Sequence, residues 1–256
     1  RTTPKSITAL QLSDAQTYHP ELLSTFRSTL NLGIQKAGNE LDFILYNGDQ
    51  FDQNMKKVDN KTINNILRYT KAFDAIEDIK SMLPFMSSSG NHEPTCPYSQ
   101  VLGSDIKYGA YDYKGGNYSF DYGFAHFIVL NGNRLADDDP QDEDYLAQMN
   151  FLTSDLQTDT CKNAKWKIVM IHIGCYTTGD HSKEGEVELL VERLTPIFSA
   201  NHIDLVLQAH EHTYNKTYPY KWDAAGYTTT FNNPSVVNYT PETTVIENRT
   251  YDLFNL

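Results

Sequence analysis

The sequence predicts a layered α/β domain, and three observations carry that reading. Apolar, β-branched-rich runs of strand length alternate with longer stretches of helical period, the pattern of sheets covered by helices. A hydrophobic content of 39% with 12% aromatics supplies a packed core. The 256 residues suffice for one sizeable α/β domain or two small ones. No repeat, linker or low-complexity segment divides them, so residues 1–256 are expected to form a single domain.

Residues 6–13 (SITALQLS) read as a first strand ending at Asp14, and residues 21–37 as a helix with Leu22, Leu23, Phe26 and Leu30 on one face. Residues 42–47 (DFILYN) form a buried-strand run before Gly48-Asp49. Residues 61–82 have the period of one long amphipathic helix, and residues 83–88 a short strand leading to Gly90-Asn91-His92-Glu93. Residues 111–131 alternate aromatic and polar side chains around glycine pairs, which predicts antiparallel hairpins. Asp137-Asp138-Asp139 reads as a solvated loop and residues 144–156 as a helix. Residues 166–171 (WKIVMI) are a buried strand delivering His172. A helix over 186–200 is expected to bend or restart at Pro196, and a strand over 204–208 delivers His210 and His212. Beyond Pro219 the chain is rich in Tyr, Thr and Asn without clear periodicity.

The net charge of −12 argues against a protein that binds nucleic acid by neutralising phosphates. It leaves a small phosphate substrate open, because bound cations can supply a positive field locally. No apolar run reaches membrane-spanning length. The N-terminus, RTTPKSITAL, lacks the apolar stretch of a signal peptide, as does a chain that begins after a cleaved one. Asn-x-Ser/Thr acceptors stand at Asn60, Asn117, Asn215, Asn238 and Asn248. They favour a secreted or lysosomal/vacuolar glycoprotein, with a cytoplasmic chain as the alternative. Asn215 is the less favoured acceptor because of crowding. Cys96, Cys161 and Cys175 allow one disulfide at most.

Asp14, Asp49, Asn91, His172 and His210 each fall just beyond the carboxyl end of a strand run, the edge where open α/β sheets bind ligands. One such residue is most simply a cap or a satisfied loop group. Five that are all metal-competent point to a metal centre. Carboxylates and an amide oxygen suit hard cations, and imidazoles suit zinc, iron and manganese. A carboxylate free to bridge fits two ions about 3.5–4 Å apart. In extended backbone His210 and His212 would share a face.

The ordered motifs Asp14-x-x, Gly48-Asp49, Gly90-Asn91-His92-Glu93, Val169-Met170-Ile171-His172 and Ala209-His210-Glu211-His212 resemble the calcineurin-like metallophosphoesterases. Within that superfamily, residues 210–219 (HEHTYNKTYP) and His172 followed by Tyr176, His181 and Glu184-Gly185-Glu186 look most like the purple acid phosphatase branch. The similarity covers about residues 7–219 and implies a layered α/β/β/α sandwich with mixed sheets. It also implies one ion on Asp14, Asp49 and His212, and another on Asp49, Asn91, His172 and His210, the metals being Zn, Fe or Mn. His92 and His181 match positions that contact the substrate phosphate, alongside Asn91 and Tyr176, with His181 as proton donor to the leaving oxygen. Asp49, His92 and His181 are thus the expected catalytic residues.

Four departures stand out. Asp52 replaces the Tyr ligand of the purple enzymes, which predicts a colourless protein. Gln16 stands where many members carry a His ligand and the purple branch a Gly. Its amide could ligate, hold a water, or simply be polar near the site. Ala209 replaces a Gly, and the chain stops soon after the last motif, so the part beyond about residue 220 is expected to be truncated or naturally short. Glu93 and Glu211 are candidates to orient ligand histidines, or ordinary surface charge. Tyr176, Tyr214 and Tyr218 could wall a pocket or merely pack. The expected reaction is hydrolysis of small-molecule phosphate monoesters by metal-activated water. The alternatives are a phosphodiester or nucleotide substrate, set by residues 95–114, 135–145 and the tail, or a catalytically silent binding protein. Oligomeric state is not legible.

Overall fold

The computed structural model describes residues 4–17, 20–50, 71–93, 116–137, 139–177, 179–217, 243–246 and 249–252. Strands β1 (Ala9–Leu12), β2 (Phe43–Asn47) and β3 (Phe85–Ser88) form a parallel sheet in that order. A second sheet runs β4 (Tyr118–Tyr122), β5 (Ala125–Leu130), β6 (Trp166–Ile171), β7 (Leu205–Leu207). Its β4 is antiparallel to β5 and the other pairs are parallel, so this sheet is mixed. The helices are α1 (Pro20–Ala37), α2 (Glu77–Lys80), α3 (Gly132–Leu135), α4 (Glu143–Asp155), α5 (Asp159–Asn163) and α6 (Gly185–Ala200). An antiparallel pair, β8 (Thr243–Ile246) and β9 (Arg249–Asp252), stands in the tail, where the sequence shows no period.

The strands are apolar on both faces because both faces are covered. On one face of the first sheet, Ile44 and Tyr46 pack against Phe26 and Leu30 of α1 and against Phe73, Ile76 and Ile79. Phe43 and Leu45, on the other face, meet Ala125, Phe127, Val129 and Met170 of the second sheet. Ile128, Leu130, Val169 and Ile171 face away from that interface towards Leu152 of α4 and Val187, Leu190 and Leu194 of α6. The order of layers is therefore α/β/β/α. Burying a side chain of this size contributes about 1.5–3 kcal/mol, so a one-residue slip in any strand would be costly.

Asn47 ties the two sheets together. It is fully buried, and its amide donates to the Ile171 carbonyl at 3.1 Å and the Leu207 carbonyl at 2.9 Å while its Oδ1 accepts from Ser88 Oγ at 2.6 Å.

Several expectations need correction. The helix expected over 61–82 lies outside the described residues up to position 70. In the remainder, helix over 71–74 gives way to a turn before α2, with Ile76 at φ −127°. Helix α6 does not restart at Pro196 but continues through it, with the Pro lacking only the N–H that would reach back one turn. The acceptor expected at Asn117 is 1% exposed, which leaves a glycan no exit from the folded chain. Asn60, Asn238 and Asn248 lie outside the described residues, as do Asp52, Cys96 and Tyr218. Cys161 and Cys175 are both free buried thiols.

Candidate metal centre

The carboxyl ends of β1, β2, β3 and β6, with the segment after β7, converge at one edge. The chain leaves β1 through Asp14, whose N–H donates to the Gly48 carbonyl at 3.1 Å, followed by Gln16 to Asp49 at 3.0 Å and Thr17 to Gln50 at 2.8 Å. This backbone pairing carries Asp14 alongside Asp49. Gly48 is required here. At φ +85° it takes a conformation that other residues avoid, and a Cβ would lie 2.5 Å from His172 Nδ1.

His172 Nδ1 lies 2.7 Å from the Asn47 carbonyl, which can only accept, so the ring hydrogen sits on Nδ1. Its Nε2 then faces Asn91 Oδ1 at 3.0 Å and Asp49 Oδ2 at 3.4 Å. Asn91 Oδ1 is also 2.9 Å from His210 Nδ1. On the other side of Asp49, Asp14 Oδ1 is buried without a hydrogen-bond partner, 3.4 Å from His212 Nε2. Two triads, Asp49/His172/His210 and Asp14/Asp49/His212, thus place one ligand atom per residue within 4.8 Å of one another and share Asp49. Oxygens and ring nitrogens converge with lone pairs inward, a demand for positive charge that a proton meets only in part. Burial lowers the His172 pKa, but the Asp49 carboxylate outweighs it and pushes the value up to about 9. The donor set fits the pair of cations expected from the sequence.

Among the described residues, five of the six non-glycine residues in left-handed backbone lie at this edge: Asp14 (φ 55°), Gln16 (43°), Asp49 (53°), His210 (72°) and His212 (55°). His210 and His212 therefore do not share a face of an extended strand, and Gln16 is not extended from Asp14. Each reaches the site by a turn of the chain. Gln16 directs its amide nitrogen at Asp49 Oδ2, 3.4 Å away, so a donor faces the site where ligation would need an oxygen. Left-handed strain costs about 1–3 kcal/mol per residue. Gln16→Gly is expected to raise stability by about 1 kcal/mol, seen as a rise in Tm of about 2–4 °C. A lower Tm would show that the amide contact outweighs the strain.

Glu93 holds backbone, and Glu211 holds a hydroxyl and one backbone N–H. Glu93 is buried, and its carboxylate accepts from the N–H groups of Asp49 at 2.9 Å, Gln50 at 2.6 Å and Gly90 at 2.6 Å. Burial, and then the charge of Asp49, push its pKa up to about 7. Glu211 accepts from Thr177 Oγ1 at 2.6 Å and from the His181 N–H at 3.3 Å, fastening the segment that carries His181. A Cβ on Gly179 would fall 1.7 Å from Glu211 Oε1. Gly179→Ala is accordingly expected to cost about 1–3 kcal/mol, as overpacking does. An unchanged denaturation midpoint would contradict that packing.

His181 sits on a 3-10 turn, Asp180–Lys183, with its ring centroid 4.1 Å from that of His210. Its Nδ1 bonds Glu184 at 2.7 Å, and this contact raises its pKa against a smaller opposing effect of burial. His92 donates its N–H to Asp49 Oδ1 at 2.9 Å and keeps a partly exposed ring at the mouth. Tyr176 packs against the apolar cluster under α4 and α6, and Tyr214 is exposed. Asn47, which orients His172, was not among the residues expected at the site. A lone polar residue closing the run FILYN was its signal.

This two-sheet fold and its converging donor set define the class of α/β proteins with a candidate metal centre at the strand ends. The chain belongs to the calcineurin-like phosphoesterase family, whose model matches residues 7–214. It is 26% identical over 179 residues to the probable inactive purple acid phosphatase 9 of Arabidopsis thaliana, covering 56% of this chain and 26% of that one. To purple acid phosphatase 22 of the same plant it is 25% identical over 150 residues, covering 55% and 33%. The chain thus spans a quarter to a third of the length of these relatives. Among solved structures it resembles GAP50, the anchor in the inner membrane complex of Plasmodium. The TM-score is 0.55 at 19% identity, covering 79% of this chain and 65% of that one, a likeness of fold. Among the described residues no helix is long and apolar enough to cross a membrane.

Proposed function

We propose that the chain hydrolyses small phosphate monoesters at a dinuclear centre. Asp14, Asp49 and His212 would hold one ion, and Asp49, Asn91, His172 and His210 the other. The observation that carries this reading is the pair of triads sharing Asp49. When bound, zinc, iron or manganese ions would lower the pKa of a water and draw charge from the phosphoryl oxygens. The protein's own groups do the rest. Asn47 fixes the His172 tautomer, so Nε2 faces the site. Glu184 holds His181 by Nδ1, which leaves Nε2 to donate a proton to the departing oxygen. His92, with its partly exposed ring beside Asp49, would contact a phosphoryl oxygen.

Hydrolysis of a chromogenic aryl phosphate tests the reading. Chelation is expected to abolish it and added zinc, iron or manganese to restore it, and a rate indifferent to chelator would refute the proposal. A panel of diesters and nucleotides separates the monoesterase from its relatives in chemistry. A second reading, a phosphatase-like binding protein without turnover, is favoured by the Gln16 amide on Asp49 and by the exposure of His212. Full metal occupancy with no turnover on that panel would select it.

A further inference from the structure

We propose a separate site for one zinc-like divalent cation, formed by His126, Asp155 and Cys161 at the far end of the second sheet. His126 is level with Lys167 in the register of β5 and β6, five residues short of His172. At about 3.3 Å per residue that places it roughly 16 Å from the candidate centre.

Three elements bring the groups together. His126 shares the β5 face of Ile128 and Leu130, so its ring points into the helical layer. Asp155 is the last residue of α4. Cys161 lies in α5, where the Thr158 hydroxyl caps its N–H and turns the thiol inward. His126 is 2% exposed, Asp155 9% and Cys161 0%, and one ligand atom from each falls within 4.8 Å of the others.

The surroundings are those of a ligand set. Asp121 Oδ1 takes His126 Nδ1 at 2.7 Å, the outer carboxylate that commonly orients a metal-binding imidazole. Ser119 Oγ donates to Asp155 Oδ1 at 2.6 Å, which leaves Oδ2 beside His126 Nε2 at 2.8 Å. Imidazole, thiolate and carboxylate together select zinc over magnesium or calcium, and three protein ligands leave the fourth tetrahedral position to water. The competing account is an imidazolium held between two carboxylates, which would be complete without Cys161.

Cobalt substitution of the whole chain separates the two. Among the described residues the centre at the strand ends has no sulfur ligand, so a thiolate-to-cobalt charge-transfer band that disappears with Cys161 reports on the new site. That band is expected in the wild type. Cys161→Ala and Cys161→Ser are expected to lose it together with one equivalent of bound metal, and Asp155→Asn to weaken the metal by about 10-fold or more. Circular dichroism checks that each variant is folded. Cobalt-loaded wild type without the band, or a band that survives in Cys161→Ala, would overturn the proposal. Neither readout depends on hydrolytic activity, so failure here is distinct from failure of the proposed function.

Discussion

Asp49→Asn is expected to lower phosphate-ester hydrolysis about 10³-fold, roughly 4 kcal/mol of transition-state stabilisation, while the protein stays folded. Asn has the same shape and keeps an oxygen to accept the His92 N–H, and the contact it gives up at the other oxygen is the long 3.4 Å one from the Gln16 amide. What it removes is the charge common to both triads. That charge is a maintained feature: burial favours the neutral acid, but His172, then His92, hold the Asp49 pKa below the ordinary carboxylate value. The measurement is kcat with metal content determined on the same sample. Wild-type turnover at full occupancy in the variant would sink the assignment of Asp49 as the shared ligand.

Glu93→Ala is expected to be the most destabilising single substitution at the site. One carboxylate accepts three backbone N–H groups, from Asp49, Gln50 and Gly90. Truncation leaves these buried donors unpaired at about 1–3 kcal/mol each, against a total domain stability of about 5–15 kcal/mol. The same bonds hold Asp49 in its left-handed conformation, so the ligand would be lost with the fold. Glu93→Gln retains two acceptor lone pairs and should fall between. A midpoint for Glu93→Ala within about 1 kcal/mol of wild type would mean that water or another group takes over the amides.

Much of this was legible because strand period and strand-end chemistry are local. FILYN and WKIVMI read as strands, and Asp49, Asn91, His172 and His210 were recognisable as the polar residues closing such runs. The left-handed turns at Asp14, Gln16, Asp49, His210 and His212 were not legible, because none of these residues is glycine and the conformation is imposed by the pairing of neighbouring loops. His210 and His212 therefore do not share the face that extended backbone would give them, although His212 still reaches Asp14 and Asp49. The break before α2 is hidden in the sequence for a related reason: Ile76 and Ile79 keep a helical apolar period even where the chain turns. Glu93 binds backbone amides, which every residue offers, and Glu211 binds a hydroxyl and one amide, so no residue type announces them.

The position of Asn47 has a consequence for how the protein comes apart. Its side chain bonds strands of both sheets, and its carbonyl holds the imidazole of His172. Separating the sheets and disorienting that histidine are then one event. Local fraying that spares the core is a poor route to losing the centre, and the Ile171 and His172 amides should exchange with solvent only on global opening.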